Sequence, residues 1–259
     1  MPAPNVTLRL NTFLPLEGGV TDPENEHPAL DPFSCPPVVI ATAPALPSTN
    51  WPCQFPQLID REILLRDSKR IDRLLKAARI KVGSACPEDV DHRAGRRLER
   101  SQFAALSTCQ WIRHHQNCLI TGPTGSGRTW LACASANAAC RQGLSTYYVQ
   151  LPRLSEELRL AHADGSFSRR LMQLAKTDLI VIDDWGLAAP SAQERSDLLE
   201  LLDDRVGSRS TLITSQLAVD HWHAYLGDPM FADAILDRIV RASHRLALKG
   251  KSMRGKETT

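Results

Sequence analysis

Residues 117–130 read Asn-Cys-Leu-Ile-Thr-Gly-Pro-Thr-Gly-Ser-Gly-Arg-Thr-Trp. A short apolar pair, Leu119-Ile120, runs into a turn with glycines at 122, 125 and 127, and a helix-like segment follows from Thr129 to Cys140. Strand, glycine-rich loop and helix in that order make the context of a phosphate-binding loop. Glycines let the backbone approach phosphate oxygens closely. Successive N–H groups and the positive end of the following helix then face the anion. The usual pattern is G-x-x-x-x-G-K-[ST]; Gly122, Gly127 and Thr129 fit it, and position 128 is Arg. A forked guanidinium is not equivalent to a compact ammonium, so the expectation is nucleotide binding with slowed hydrolysis. A glycine-rich turn that holds no nucleotide is the plainer alternative.

Downstream, Leu179-Ile180-Val181-Ile182 ends in Asp183-Asp184. A continuous apolar run suits a strand buried on both faces of a parallel sheet. Its C-terminal end is where open α/β sheets bind ligands. Asp183 is a candidate for a Mg²⁺ shell and Asp184 for orienting an attacking water; an Asp pair opening a turn is the structural alternative. The next strand, Thr211 to Thr214, ends at Ser215-Gln216, where Gln216 reads either as a polar contact to phosphate or water, or as a strand cap. Arg238 lies within an apolar helix. It reads as a salt bridge to Asp237 or Asp233, or as a finger reaching a neighbouring subunit's phosphate.

The rest of the chain is read around these motifs. At 259 residues it suits one large domain or a domain with a small appendage. Twelve of its 17 prolines fall in residues 1–57, which show no sustained helical or strand period; the expectation is a Pro-rich disordered arm. Residues 58–82 change character. Ile59, Ile63, Ile71, Leu74, Leu75, Ala78 and Val82 follow three-four spacing and predict a helix with one apolar face. Arg66, Lys69, Arg70, Arg73 and Lys76 occupy much of the remainder, either as a solvated face or as a contact to a phosphate backbone. Arg93, Arg96, Arg97 and Arg100 extend this basic region. Helices are expected over 101–116, 128–142, 152–175 with a break near Asp164-Gly165, 191–206, and 219–242 around a break at Gly227-Asp228-Pro229. Further strands are expected at 146–149 and 245–248.

The net charge of +2 excludes a grossly basic or acidic chain. Seven cysteines without a C-x-x-C pair fit reduced thiols and a cytoplasmic location. No apolar run reaches the ~18 residues of a membrane span, and the eight histidines show no ligand spacing. The expected fold is an α/β P-loop sandwich with a parallel central sheet. Its expected parts are an arm at 1–57, a basic helical region at 58–100, an ATPase domain at 101–250 and a basic tail at 251–259.

Taken together, the loop, the Asp183-Asp184-Trp185-Gly186 stretch and Ala234-Ile235-Leu236-Asp237-Arg238-Ile239 resemble the IstB family of transposition helper ATPases, AAA+ proteins related to the DnaC helicase loader. His221-Trp222, Gly227-Asp228-Pro229 and Leu248-Lys249-Gly250-Lys251-Ser252 add to the resemblance, which covers about residues 58–255. It implies an AAA+ fold and a cradle for ATP made by Gly122, Pro123, Thr124, Gly125, Ser126, Gly127, Arg128 and Thr129. It implies Mg²⁺ handled by Thr129 and Asp183, with Asp184 where many relatives carry a catalytic Glu. Gln216 would be the sensor and Arg238 the finger completing a neighbour's site. The implied partners are duplex DNA, a cognate transposase and further copies of the chain, with no membrane. Two departures stand out: Arg128 in place of Lys, and residues 1–57, which are unlike the family's helical N-terminal domain. A catalytically weak nucleotide-binding homologue and a helicase loader are the alternatives.

Overall fold

The computed structural model describes residues 51–90 and 98–249. The Pro-rich segment up to residue 50, Arg93, Arg96, Arg97 and the basic tail from residue 250 lie outside the described residues.

The described residues open with helix α1 (Trp51–Ala78), which includes residues ahead of the expected start at 58. After a short 3-10 turn come α2 (Arg100–Ser107) and α3 (Gln110–Arg113). The single helix expected over 101–116 is broken at Cys109, which takes the left-handed conformation with φ 55°. Then follow β1 (Asn117–Thr121), α4 (Arg128–Arg141), β2 (Thr146–Gln150), α5 (Leu151–Ala163), α6 (Phe167–Lys176) and β3 (Leu179–Trp185). The chain continues through α7 (Ala192–Arg205), β4 (Ser210–Ser215), α8 (Trp222–Leu226), α9 (Pro229–Val240) and β5 (Ser243–Ala247).

Among the described residues five strands form one parallel sheet, in the order β2-β3-β4-β1-β5. Every crossover therefore carries a helix to one face or the other, and both faces are buried. On one face sits α4, from Leu131 to Cys140 buried on all sides. Its Ala132, Ala134, Ala136, Ala138 and Ala139 let it lie close to the sheet beneath α1 and α2. A helix apolar all round belongs in a core. The other face is filled by α5 to α9, with Trp185 and Trp222 fully buried at its centre.

Local signals set the helix ends. Ser191 and Glu194 form a reciprocal capping box at the start of α7. Asp228 caps α9 through its bond from the Phe231 N–H. Arg205, 2% exposed, donates to the carbonyls of Leu174, Thr177 and Ser210 and to Thr211 Oγ1. It thereby ties the end of α7 to the end of α6 and the start of β4.

Helix α1 packs only in part. Leu74, Leu75 and Ala78 turn toward α4 and the edge strand β2, whereas residues 59–70 are all exposed. Ile59 and Ile63, assigned by spacing to the apolar face, are 56% and 51% exposed. Three-four periodicity marks a face of a helix, and burial also requires another element to cover it. The thiols of Cys109, Cys118, Cys133 and Cys140 are free and buried. Burial raises all four, Cys109 to about 11 and Cys118 to about 12, so they are unreactive packing groups.

Candidate nucleotide-binding site

Strand order decides what meets at the C-terminal rim of the sheet. β4 lies between β1 and β3, so the loop after β1, the end of β4 and the acid pair of β3 open on one rim. The root of the loop is stitched on both sides. Gly122 N–H donates to the Ser215 carbonyl at 3.2 Å and Leu248 N–H donates to the Thr121 carbonyl at 2.7 Å. Gly125 and Gly127 take φ of 80° and 89°, in the region glycine enters without a Cβ penalty. Gly122 has a further reason to be glycine: a Cβ there would lie 2.8 Å from the Leu248 carbonyl oxygen.

Gly127 is the N-cap of α4 and contributes no side-chain cap. The fourteen-residue helix therefore presents its first N–H groups to the loop, with no acid in its first turn. That is an anion-binding end. Ser126 is 1% exposed, and among the described residues its Oγ has no partner. A glycine cradle, an uncapped helix start and an orphaned buried hydroxyl fit a phosphate chain. Pro123 and Thr124 complete the loop, and Thr124 Oγ1 donates to Gln216 Oε1 at 2.9 Å, joining the loop to the end of β4.

Arg128 does not face the cradle. It is 8% exposed, and its Nη1 donates to the carbonyls of Gly122 and, at 2.9 Å, Ser215. The guanidinium fills the root of the loop, where it reinforces the junction of β1 and β4. Burial pulls it below the usual guanidinium range, against the attraction of Asp183 and Asp184; an arginine nonetheless stays cationic at neutral pH.

The acid pair sits on a bulge. Ile182 is paired with Ile213 and Trp185 with Ser215, so three steps along β3 match two along β4. Asp184 absorbs the extra residue with φ 61°, a conformation that Asp tolerates better than most residues. Bulges re-aim side chains at sites of this kind. Asp183 is wholly buried. It accepts from Thr129 Oγ1 at 3.0 and 3.2 Å, from Tyr148 Oη at 2.5 Å, and from Thr214 Oγ1. Asp184, half-buried, accepts from Gln150 Nε2 at 2.7 Å.

Tyr148, Gln150 and Thr214 were missed in the sequence. Gln150 offered a signal, being a polar residue just past the expected strand 146–149, as Gln216 is just past Thr211 to Thr214. Burial and the neighbouring Asp183 carboxylate push the Tyr148 phenol far above its ordinary value, so it remains a donor. A hydroxyl and a carboxylate are hard oxygen ligands of the kind Mg²⁺ takes when phosphates complete its shell. Among the described residues no cluster of three His, Cys, Asp or Glu forms a self-sufficient metal site.

Arg238 is not brought to this rim. Its carbonyl accepts from Asn117 Nδ2 at the first residue of β1, roughly 13 Å of strand from the loop at 3.3 Å per residue. Its side chain pairs with Asp203 of α7 at 2.7 Å and donates to the Ala234 carbonyl. The salt-bridge partner is thus Asp203, not Asp237 or Asp233, because α9 packs along α7. Arg66, Lys69, Arg73 and Lys76 are all exposed; at spacings of three, four and three they form one stripe on α1. Arg70, also exposed, donates to the Gly143 carbonyl at 3.3 Å.

The family described as IstB-like ATP binding protein matches residues 47–259, and the chain belongs to it. It is 54% identical over 176 residues to a protein of insertion sequence IS1162 from Pseudomonas fluorescens, covering 68% of this chain and 76% of the relative. It is 46% identical over 197 residues to the insertion-sequence protein y4pL of Sinorhizobium fredii, covering 76% and 80%. The DnaC helicase loader superimposes with a TM-score of 0.54 at 17% identity, covering 64% of this chain and 97% of that one. DnaI gives 0.55 at 20%, covering 70% and 92%. These structures establish an AAA+ fold. Among the described residues no helix is long and apolar enough to cross a membrane.

The close approach at Gly122 makes Gly122→Ala a direct probe of the loop root. The added methyl is expected to cost about 1–3 kcal/mol in urea-unfolding stability, the usual overpacking range, and to weaken ATP binding measured by calorimetry.

Proposed function

We propose that the chain hydrolyses ATP at this rim and uses nucleotide-dependent assembly on duplex DNA to assist a transposase. The observation that carries this reading is the bond between Thr129, in the first turn of α4, and buried Asp183 at the end of β3, with Asp184 beside it. In this reading Thr129 and Asp183 hold Mg²⁺ together with the phosphates, and the N–H groups of residues 124–129 hold the phosphate oxygens. Asp184 orients the water, and the Gln150 amide fixes its carboxylate. Gln216, already bonded to Thr124, senses the γ-phosphate side. Arg238 is too far from its own loop to act there; it serves the site of a second copy after parting from Asp203, so the working form is a homo-oligomer.

The exposed stripe Arg66, Lys69, Arg73, Lys76 is the DNA contact, a sequence-independent one to the phosphate backbone. Support for the transposition role comes from the family and from relatives named for insertion sequences. One observation favours a weaker ATPase: Arg128 is committed to two carbonyls, so its charge is not free for the γ-phosphate.

Asp184→Asn should lower ATP turnover, measured with and without duplex DNA, by about 10²-fold or more while ATP affinity stays within about threefold. Unchanged turnover would remove Asp184 from the chemistry. Replacing the four stripe residues with Ala should flatten the log–log salt dependence of duplex binding by about 0.9 for each phosphate that the stripe neutralises. An unchanged slope would place DNA elsewhere.

A further inference from the structure

The carboxylate of Asp183 has two oxygens, and each has a donor of its own. Thr214 Oγ1 bonds Oδ1, Tyr148 Oη bonds Oδ2 at 2.5 Å, and Thr129 Oγ1 lies 3.2 and 3.0 Å from the two. Tyr148 reaches Asp183 from the neighbouring strand. It is in register with Val181, two residues before the acid, an offset of roughly 6.6 Å that the length of a phenol side chain spans. The ring is 7% exposed and packs among the core residues on the α4 side of the sheet. Phenylalanine would fill that volume equally well, so the packing does not account for the hydroxyl. What the hydroxyl adds is a fixed donor on one carboxylate oxygen.

We infer that Tyr148 is a positioning residue for metal binding: its phenol holds the Asp183 carboxylate in the orientation that receives Mg²⁺. The inference rests on the reading of Thr129 and Asp183 as the metal-handling pair. Thr129 has to present a lone pair to the metal, so it is a poor sole anchor for the carboxylate. Tyr148 and Thr214 hold one oxygen each, whichever way the Thr129 hydroxyl turns. Thr214 also accepts from the Asp184 N–H at 3.3 Å, and its removal would disturb both acids. Tyr148 touches Asp183 alone of the pair, which makes it the cleaner probe. Partners that orient a metal ligand commonly change metal affinity by about 10–100-fold when removed.

The test is ATP affinity of the full chain and of Tyr148→Phe, measured by displacement of a fluorescent ATP analogue in EDTA and across a Mg²⁺ titration. The expected result is a metal-free ATP affinity within about twofold of the unaltered chain, with the Mg²⁺ concentration for half-maximal tightening raised about tenfold. Circular dichroism checks that the variant is folded, as its retained ring predicts. An unchanged Mg²⁺ midpoint overturns the inference. Equal weakening with and without metal also overturns it, since that is what a packing role gives. If the unaltered chain binds no ATP, or binds it without regard to Mg²⁺, the reading of the site itself fails. That outcome is separate from an unaltered chain that needs Mg²⁺ beside a variant that needs no more.

Discussion

A carboxylate buried without any exposure has to be hydrogen-bonded on both oxygens or it destabilises the fold. Asp183 meets that demand with hydroxyls from three elements: Thr129 on α4, Tyr148 on β2 and Thr214 on β4. The requirement therefore fixes more than one side chain. It holds the first turn of α4 against the end of β3, and the glycine loop must then close the distance from β1. The bulge in β3 belongs to the same arrangement. Without the extra residue, Asp183 and Asp184 would point to opposite faces of the sheet; with it, Asp184 is re-aimed at the rim, where Gln150 holds it.

Arg128 works at the same junction from below. A lysine at this position would offer a mobile point charge. Nη1 of the arginine instead bonds two main-chain carbonyls, one at the root of the loop and one at the end of β4. Hydrogen bonds from charged donors contribute about 1.5–3 kcal/mol. The free protein therefore gains rigidity where nucleotide binding needs the charge to move. In the proposed reading, stability and phosphate contact would compete for one guanidinium, which is the physical basis for expecting slower hydrolysis in this chain than in a lysine form.

Much of this was legible in residue order. The glycine loop, the apolar run ending in two acids and the polar end of β4 each carry their meaning within a few residues, and the strands fall within two residues of expectation at each end. What depends on register was not legible. Tyr148 and Gln150 matter because β2 pairs with β3, and a strand of five residues does not announce its neighbour. Arg238 pairs with Asp203, 35 positions away, through the packing of α9 on α7. The helix break at Cys109 rests on one left-handed residue that is not glycine. The spacing of Ile59 and Ile63 described an apolar helix face, and its exposure could not be read there, since cover comes from the rest of the fold.

The most direct measurement is ATP binding and turnover by this chain beside Arg128→Lys. The account predicts that both bind ATP and that the lysine variant turns it over at least about tenfold faster, a difference of roughly 1.4 kcal/mol in the barrier. Failure of both to bind ATP would contradict the nucleotide site itself. Equal turnover would contradict the proposal that the guanidinium, held by Gly122 and Ser215, sets the pace of hydrolysis.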